Sequence, residues 1–378
     1  MANHPKKPAP SGTSPKPTTT KTPPPTTTYT PPKFLSLLPS NWIPYAELIR
    51  IHKPAGILHV YLPYLFGSLF GACISTDDYN KHLLPTSSGS SSHPLLWANL
   101  YLLAIAFITR SVGCTWNDIV DRDLDKHVER CKIRPMARGA LSVTQAVIFM
   151  LGQYGVFLAL VWAFSSEALG VEGFTSMTSG GGGGTPLAWY VVPVVIVGNV
   201  YPFAKRFTNY AQLVLGIAHS MNAYIGCRVV GVDLVGLLVD DELRGYGAGL
   251  VALAGSYAVW VMLSDTIYAF QDLEGDKKLG NLSMSVKFEG VIRPVLYGLA
   301  LLQVGLLGLA GWFAGMGAWF FDGAVGMTAV VLLTMVYRVR LDSSESCWWW
   351  FQNGGLMVGA TMAGGLQAEY LTRSAAGL

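Results

Sequence analysis

Charge is scarce in this chain. Asp, Glu, Lys and Arg together make up 13% of its 378 residues, about half the share of a typical soluble domain, roughly a quarter. That excludes an ordinary soluble enzyme. The net charge of +3 is small and scattered, so a nucleic-acid partner is excluded as well. Cysteine is equally sparse. Cys73, Cys114, Cys131, Cys227 and Cys347 lie far apart with no CxxC pair, which argues against a disulfide framework or a zinc site. There is no secretory h-region and no phosphate-binding loop. The glycine run within Ser179–Thr185 lacks a following Lys-Ser/Thr and a preceding strand, and reads as a flexible linker. What is abundant is apolar sequence: 51% of the chain, with a mean hydropathy of +0.38. This points to an all-α, polytopic membrane protein.

The first 33 residues hold ten of the 21 prolines and nine threonines. Such a segment buries too little apolar surface to offset its ordering entropy, so residues 1–33 read as a disordered tail and 34–378 as one transmembrane domain. The tail lacks acids, as transit peptides do, but also arginine and any amphipathic repeat, which disfavours a mitochondrial presequence. Stretches of spanning length follow at about 56–74, 95–113, 143–166, 187–204, 210–230, 246–269, 291–315, 323–341 and 348–367, so about nine transmembrane helices are expected. Twenty Lys and Arg residues precede the first span or follow even-numbered spans, against Lys81 and Arg244 after odd-numbered ones. Positive residues stay on the cytoplasmic side, which places the N-terminus and the even loops there. Asn281-Leu-Ser283 is a formal glycosylation sequon; on that side it goes unused.

Two of those loops concentrate the acids. WNDIVDRDLD (116–125) and SDTIYAFQDLEGD (264–276) hold eight of the 23. Asn117, Asp121 and Asp125 are spaced four residues apart, so a helix puts them on one face, with Asp118 at its border. Asp265, Tyr268, Asp272 and Asp276 form a second stripe by the same logic. Clustered carboxylates beside a bilayer are costly unless a cation joins them. Oxygen-only ligands suit Mg²⁺ shared with substrate phosphates. Basic residues lie next to both stripes: Arg122, Lys126, Arg134 and Arg138 after the first, Lys277 after the second, with Arg50, Lys53, Lys205 and Arg206 on the same side. Carboxylates with a metal, faced by cations, make a diphosphate site, and at a membrane that implies a lipid diphosphate. Arg130, Lys132 and Lys278 read as solvated loop charges, Arg228 as a packed or snorkelling cation, and Trp348–Trp350 as an interfacial aromatic belt.

These residues resemble the UbiA family of intramembrane aromatic prenyltransferases. Asn117, Asp118, Asp121 and Asp125 match its NDxxDxxxD motif, and Arg134-Pro-Met-Ala-Arg138-Gly its RPxxxG continuation. Tyr268-xxx-Asp272-xxx-Asp276 matches its second aspartate loop. Arg50-Ile-His-Lys53-Pro-Ala-Gly56 and Tyr201-Pro-xx-Lys205-Arg206 resemble two further signatures. The likeness covers roughly residues 45–367. It implies a central cavity among the spans, capped by cytoplasmic loops, and two Mg²⁺ bridging an isoprenoid diphosphate. Asn117 and Asp121 would serve one ion, Asp272 and Asp276 the other, with Asp125 in support. Arg138, Lys205 and Lys277 would be diphosphate contacts. An aromatic carbon would attack the ionised prenyl group, Asp265 or a neighbour such as Tyr268 would handle the proton, and an acceptor carboxylate would meet Arg50 or Lys53. The wording of Ile51-His-Lys-Pro-Ala-Gly-Ile-Leu-His is similar to fungal members, and the eccentric tail favours the branch that farnesylates aromatic polyketides in meroterpenoid biosynthesis, on an endomembrane. The alternatives are the mitochondrial 4-hydroxybenzoate polyprenyltransferases of ubiquinone synthesis and, from other classes, a transporter or a CDP-alcohol phosphotransferase. A transporter would show inverted repeats, and the phosphotransferase motif needs a glycine where Arg122 stands. No obligate protein partner is expected.

Overall fold

The computed structural model describes residues 30–75, 94–128, 130–165, 185 and 187–376. Most of the expected tail (1–29), the serine-rich loop 86–93 and the glycine run 179–184 lie outside the described residues. Those described form helices and no strand: α1 (Ile43–Leu48), α2 (Ala55–Ser75), α3 (Pro94–Asp125), α4 (Val143–Ser165), α5 (Leu187–Ala204), α6 (Ala211–Ser220), α7 (Asn222–Val229), α8 (Leu234–Val239), α9 (Arg244–Ala269), α10 (Leu273–Leu279), α11 (Met284–Lys287), α12 (Ile292–Phe313), α13 (Met327–Arg338), α14 (Ser344–Trp349) and α15 (Gly355–Ala376). Two π-helical segments, Trp319–Gly326 and Trp350–Gly354, lead into α13 and α15. A 3₁₀ turn, Phe270–Asp272, joins α9 to α10.

Seven stretches among the described residues are long and apolar enough to cross a membrane: Ala55–Ser75, Leu95–Asp125, Val143–Trp162, Leu187–Ala204, Arg244–Leu279, Glu289–Phe313 and Trp319–Arg338. The protein is an integral membrane protein. Two of the nine expected stretches are not among these seven. Stretch 210–230 is divided at Met221 into α6 and α7, each too short to span, where the polar residues His219, Ser220 and Asn222 interrupt the apolar run. Stretch 348–367 lies within the helical path from α14 to α15, interrupted by Gln352, Asn353 and Gln367.

The helices close into a ring. α2 packs on α3, α7 and α15, α3 on α5, α5 on α6, and α9 on α6, α12 and the π turn before α15. α2 and α9 are the innermost, with 78% of their apolar windows buried against 11% for α4. Prolines 63, 193 and 202 sit inside α2 and α5, as neighbouring helices permit within a membrane. Outer faces present Leu151, Trp162, Ile196, Leu301 and Val330. With no hydrophobic force between helices in lipid, association relies on close packing through small residues. At the α2–α7 crossing an added Cβ at Gly67 would lie 1.9 Å from the Ala223 carbonyl oxygen, and one at Gly226 would lie 2.0 Å from that of Tyr64.

Both contacts are with backbone, which cannot rotate aside. Gly226→Val is therefore expected to cost at least the 1–3 kcal/mol or so of an overpacked core, seen as a lower melting temperature in detergent. Gly298→Ala, with nothing within 4 Å, is expected to leave it unchanged. Equal melting of the two variants would contradict this packing.

Candidate active site

The ring encloses a cavity of about 430 Å³, reached by α2, α3, α5, α6, α9 and the π turn carrying Phe351. Both acidic stripes reach it. Asn117, Asp118, Asp121 and Asp125 line it from α3, and Asp265, Tyr268, Asp272 and Asp276 from α9, the 3₁₀ turn and α10. Helical spacing thus brings together the two stripes that sequence spacing marks. Arg50, Lys53, Arg138 and Lys205 line the same cavity.

Lys277 does not. It binds Glu274 at 3.2 Å and Glu289 at 2.8 Å on the outside, which corrects its expected place at the diphosphate. It follows Asp276 by one residue, and one residue turns a helix by about 100°, so the two cannot share a face.

Arginines neutralise the acids at the cavity mouth. Arg50 Nη2 donates to Asp118 at 2.7 Å, and Arg134 Nη1 donates to Asp125 at 2.8 Å and to Asp118 at 3.3 Å. Arg130 grips Asp272 with two nitrogens, Nε at 3.1 Å, and donates to the Tyr268 hydroxyl at 2.5 Å. Arg138 pairs with the buried Glu47. Asp276 accepts from Asn281 at 2.9 Å, and Arg206 lies 3.9 Å from Asp121. Arg130, read from sequence as a solvated loop charge, therefore belongs to the site. Trp348 also lines the cavity, 5.8 Å from the Tyr268 ring, whereas Trp349 is half exposed, as a belt residue would be.

The residue that sequence reading missed is Arg110. Buried in α3, it donates to the carbonyls of Ile49 (3.0 Å), Arg50 (3.2 Å) and Lys53 (2.9 Å). Its guanidinium fills the space where a Cβ at Gly56 would stand, 2.7 Å from Nε. It holds the 49–53 turn, in which Arg50 has φ +54°, a left-handed conformation that a bulky residue keeps only where its surroundings impose it. A signal existed: a lone cation in an apolar span, seven residues before Asn117 and so near the same helix face. Arg228, by contrast, donates to the Thr185 carbonyl and does not line this cavity.

The donor set at the mouth is all oxygen on the acidic side, with no histidine or cysteine in either stripe, and so fits a hard cation. No three of the acids converge on one point among the described residues. Such a cation would therefore need phosphate oxygens to complete its shell, as Mg²⁺ ordinarily does.

Comparisons with known proteins decide the family. Residues 86–358 match the model of the UbiA prenyltransferase family. The chain belongs to the UbiA prenyltransferase family. The mitochondrial 4-hydroxybenzoate polyprenyltransferase of Schizosaccharomyces pombe is 32% identical over 331 residues, covering 86% of this chain and 81% of that protein. The DMOA farnesyltransferase nvfB of Aspergillus novofumigatus is 31% identical over 293 residues, covering 77% and 80%. The structure of a UbiA homologue from Archaeoglobus fulgidus bound to GPP and Mg²⁺ superposes with a TM-score of 0.56 at 18% identity, over 86% of this chain and 99% of that one. This UbiA chain is an aromatic prenyltransferase, and its acidic motifs lie on helices 3, 9 and 10 of an all-α membrane fold.

Electrostatics at the mouth of the prenyltransferase cavity differ between its two lysines. Tyr201, Asp121, Asp265 and Asp276 hold the Lys205 ammonium above the ordinary lysine range, against the effect of its burial. Lys53 is pushed down to about 8, first by burial and then by Arg50, Arg130 and Arg134. The free enzyme then loses this cation above about pH 8, and with it part of the attraction for an anionic substrate. We expect kcat/KM for the prenyl diphosphate, which reports groups of the free enzyme, to fall on the alkaline side near pH 8. Lys53→Arg, charged throughout, should move that limb several units higher. An unchanged limb in Lys53→Arg would assign it to another group.

Proposed function

We propose that this prenyltransferase transfers a farnesyl group, in preference to a long polyprenyl chain, to a ring carbon of a phenolic acid or related polyketide, and that it depends on Mg²⁺. The observation that carries the reading is one cavity with two acidic stripes and a set of arginines and lysines at its mouth, above an apolar body. Asn117, Asp121 and Asp125 on one side and Asp272 and Asp276 on the other would hold the metal. Bound with the diphosphate, Mg²⁺ neutralises the charge that develops on the leaving group. Lys53, Lys205, Arg50 and Arg134 face the same space and bind phosphate oxygens, with Arg138 behind them on Glu47.

In the reaction the allylic C–O bond breaks and diphosphate leaves with the electron pair. A ring carbon of the acceptor then forms the new C–C bond and loses its proton. Fixed cations aimed at the developing charge are worth more in a site that excludes water. Tyr268, held by Arg130, and Asp265, which lies below it on α9, are the groups of this chain placed to take that proton, with Asp265 the base.

A cavity of about 430 Å³ is at the small end of ligand pockets, roughly 300–1,000 Å³, which suits a short donor beside one aromatic ring. The farnesyltransferase likeness supports the same choice. On this reading the enzyme acts in meroterpenoid biosynthesis on an endomembrane such as the endoplasmic reticulum, with the basic loops cytoplasmic. The second reading, 4-hydroxybenzoate polyprenylation in the mitochondrial inner membrane, is favoured by the likeness to the fission yeast enzyme.

Purified enzyme offered farnesyl and long polyprenyl diphosphates, with an orsellinic-type acid and 4-hydroxybenzoate as acceptors, is expected to prefer the farnesyl and orsellinic pair. Preference for the long donor with 4-hydroxybenzoate would establish the second reading instead. Asp121→Asn and Asp272→Asn are each expected to lower Mg²⁺-supported kcat by roughly a hundred- to a thousandfold, the scale of losing one charge-stabilising group, while the protein remains folded. Near-normal turnover in either would remove that stripe from the metal site.

A further inference from the structure

Below the charged mouth the cavity wall changes character. Tyr268, Phe351 and His59 form a contiguous cluster of rings. The Phe351 ring lies 4.6 Å from Tyr268 and 4.5 Å from His59, within 8° of parallel to the latter. The π turn Trp350–Gly354 carries Phe351, and π turns frequently mark functional sites. α6 and α7 bring His219 and Asn222 to the same cavity. This is where the helix is broken at Met221, so two polar residues stand in what would otherwise be an apolar span.

Each of these polar groups has an atom that no described residue satisfies. Asn222 is 1% exposed, and its amide oxygen has no hydrogen-bond partner among the described residues. His219 Nδ1 has none either. His59 is 7% exposed; its Nδ1 lies 3.1 Å from the Ala55 carbonyl, an acceptor, so Nδ1 carries the proton. That leaves Nε2 a bare acceptor, and it too is unpartnered. Buried groups left unpaired are costly, and an isoprenoid tail offers them nothing. A flat ring bearing hydroxyl groups matches both features: it stacks on the ring cluster and donates to His59 and Asn222.

We propose that the part of the cavity bounded by His59, Phe351, His219 and Asn222 is the subsite of the aromatic acceptor, and that it selects rings carrying a hydroxyl group. This rests on the aromatic prenyltransfer proposed above and names the residues that recognise its second substrate. It places recognition of the acceptor at the hydroxylated edge, deep in the cavity, and leaves Arg50 and Lys53 to the diphosphate.

The test uses the full-length enzyme in lipid nanodiscs with His219→Phe and Asn222→Leu, which remove polarity while keeping bulk. KM for the phenolic acceptor is expected to rise tenfold or more in each, while the dissociation constant of farnesyl thiolodiphosphate, a donor analogue that does not ionise, changes less than twofold. In the wild type, the acceptor's O-methyl ether is expected to inhibit competitively with a Ki at least tenfold above the KM of the free phenol. This second measurement does not depend on the folding of any variant. An unchanged acceptor KM, an equal loss of donor affinity, or an ether Ki no higher than the phenol's KM would each overturn the subsite. Failure of the wild type to prenylate any phenol would overturn the proposed function and the subsite with it. Wild-type turnover with an unaltered acceptor KM in the variants would overturn the subsite alone.

Discussion

Three carboxylates at the edge of an apolar cavity, Asp118 and Asp125 buried and Asp272 partly so, each meet a guanidinium from outside their own helical stripe. Asp118 meets Arg50 and Arg134, Asp125 meets Arg134, and Asp272 meets Arg130. Ionised groups out of water are costly unless paired, and removing one member of such a buried pair typically costs roughly 3–5 kcal/mol. The pairing therefore fixes more than charge balance. It ties the turn before α2 and the loop after α3 to the two helical stripes, and so defines the mouth of the cavity. Arg110 completes this by holding the carbonyls of residues 49, 50 and 53, which keeps Arg50 in its left-handed conformation.

The same constraint shapes the chemistry. Acids already bound to arginines, with no three converging on one point, make a poor site for a free divalent cation. They make a good site for a cation that arrives with an anion. A diphosphate would supply oxygen ligands to the metal and acceptors to the arginines together, so each charge released from its partner would find another. Below that exchange region the wall is aromatic and apolar, with the polar break at Met221 as its exception.

Much of this was legible in the sequence because helical spacing is a one-dimensional property. Asn117, Asp121 and Asp125 share a face wherever a helix forms, and the structure brings that face to the second stripe. Lys277 shows the limit of the same logic: proximity in sequence to Asp276 says nothing once helix phase turns it outward. Arg130 was illegible because its partner lies 142 residues away, on another helix, and nothing local separates it from Lys132. The ring cluster was hidden for a similar reason. Tyr268, His59 and Phe351 come from three helical segments with no shared period. The span count differs because hydropathy averages over His219, Ser220 and Asn222, whereas the backbone breaks at Met221.

The carboxylates are expected to accept a metal only together with a diphosphate. Mn²⁺, a paramagnetic substitute for Mg²⁺, can be titrated into the purified enzyme in nanodiscs and the free ion followed by electron paramagnetic resonance, with and without farnesyl thiolodiphosphate. The expected result is little binding of Mn²⁺ alone and uptake of about two ions per chain at micromolar concentration once the analogue is present, in keeping with metal held by one or two carboxylates plus phosphates. Tight stoichiometric binding of Mn²⁺ without the analogue would contradict it.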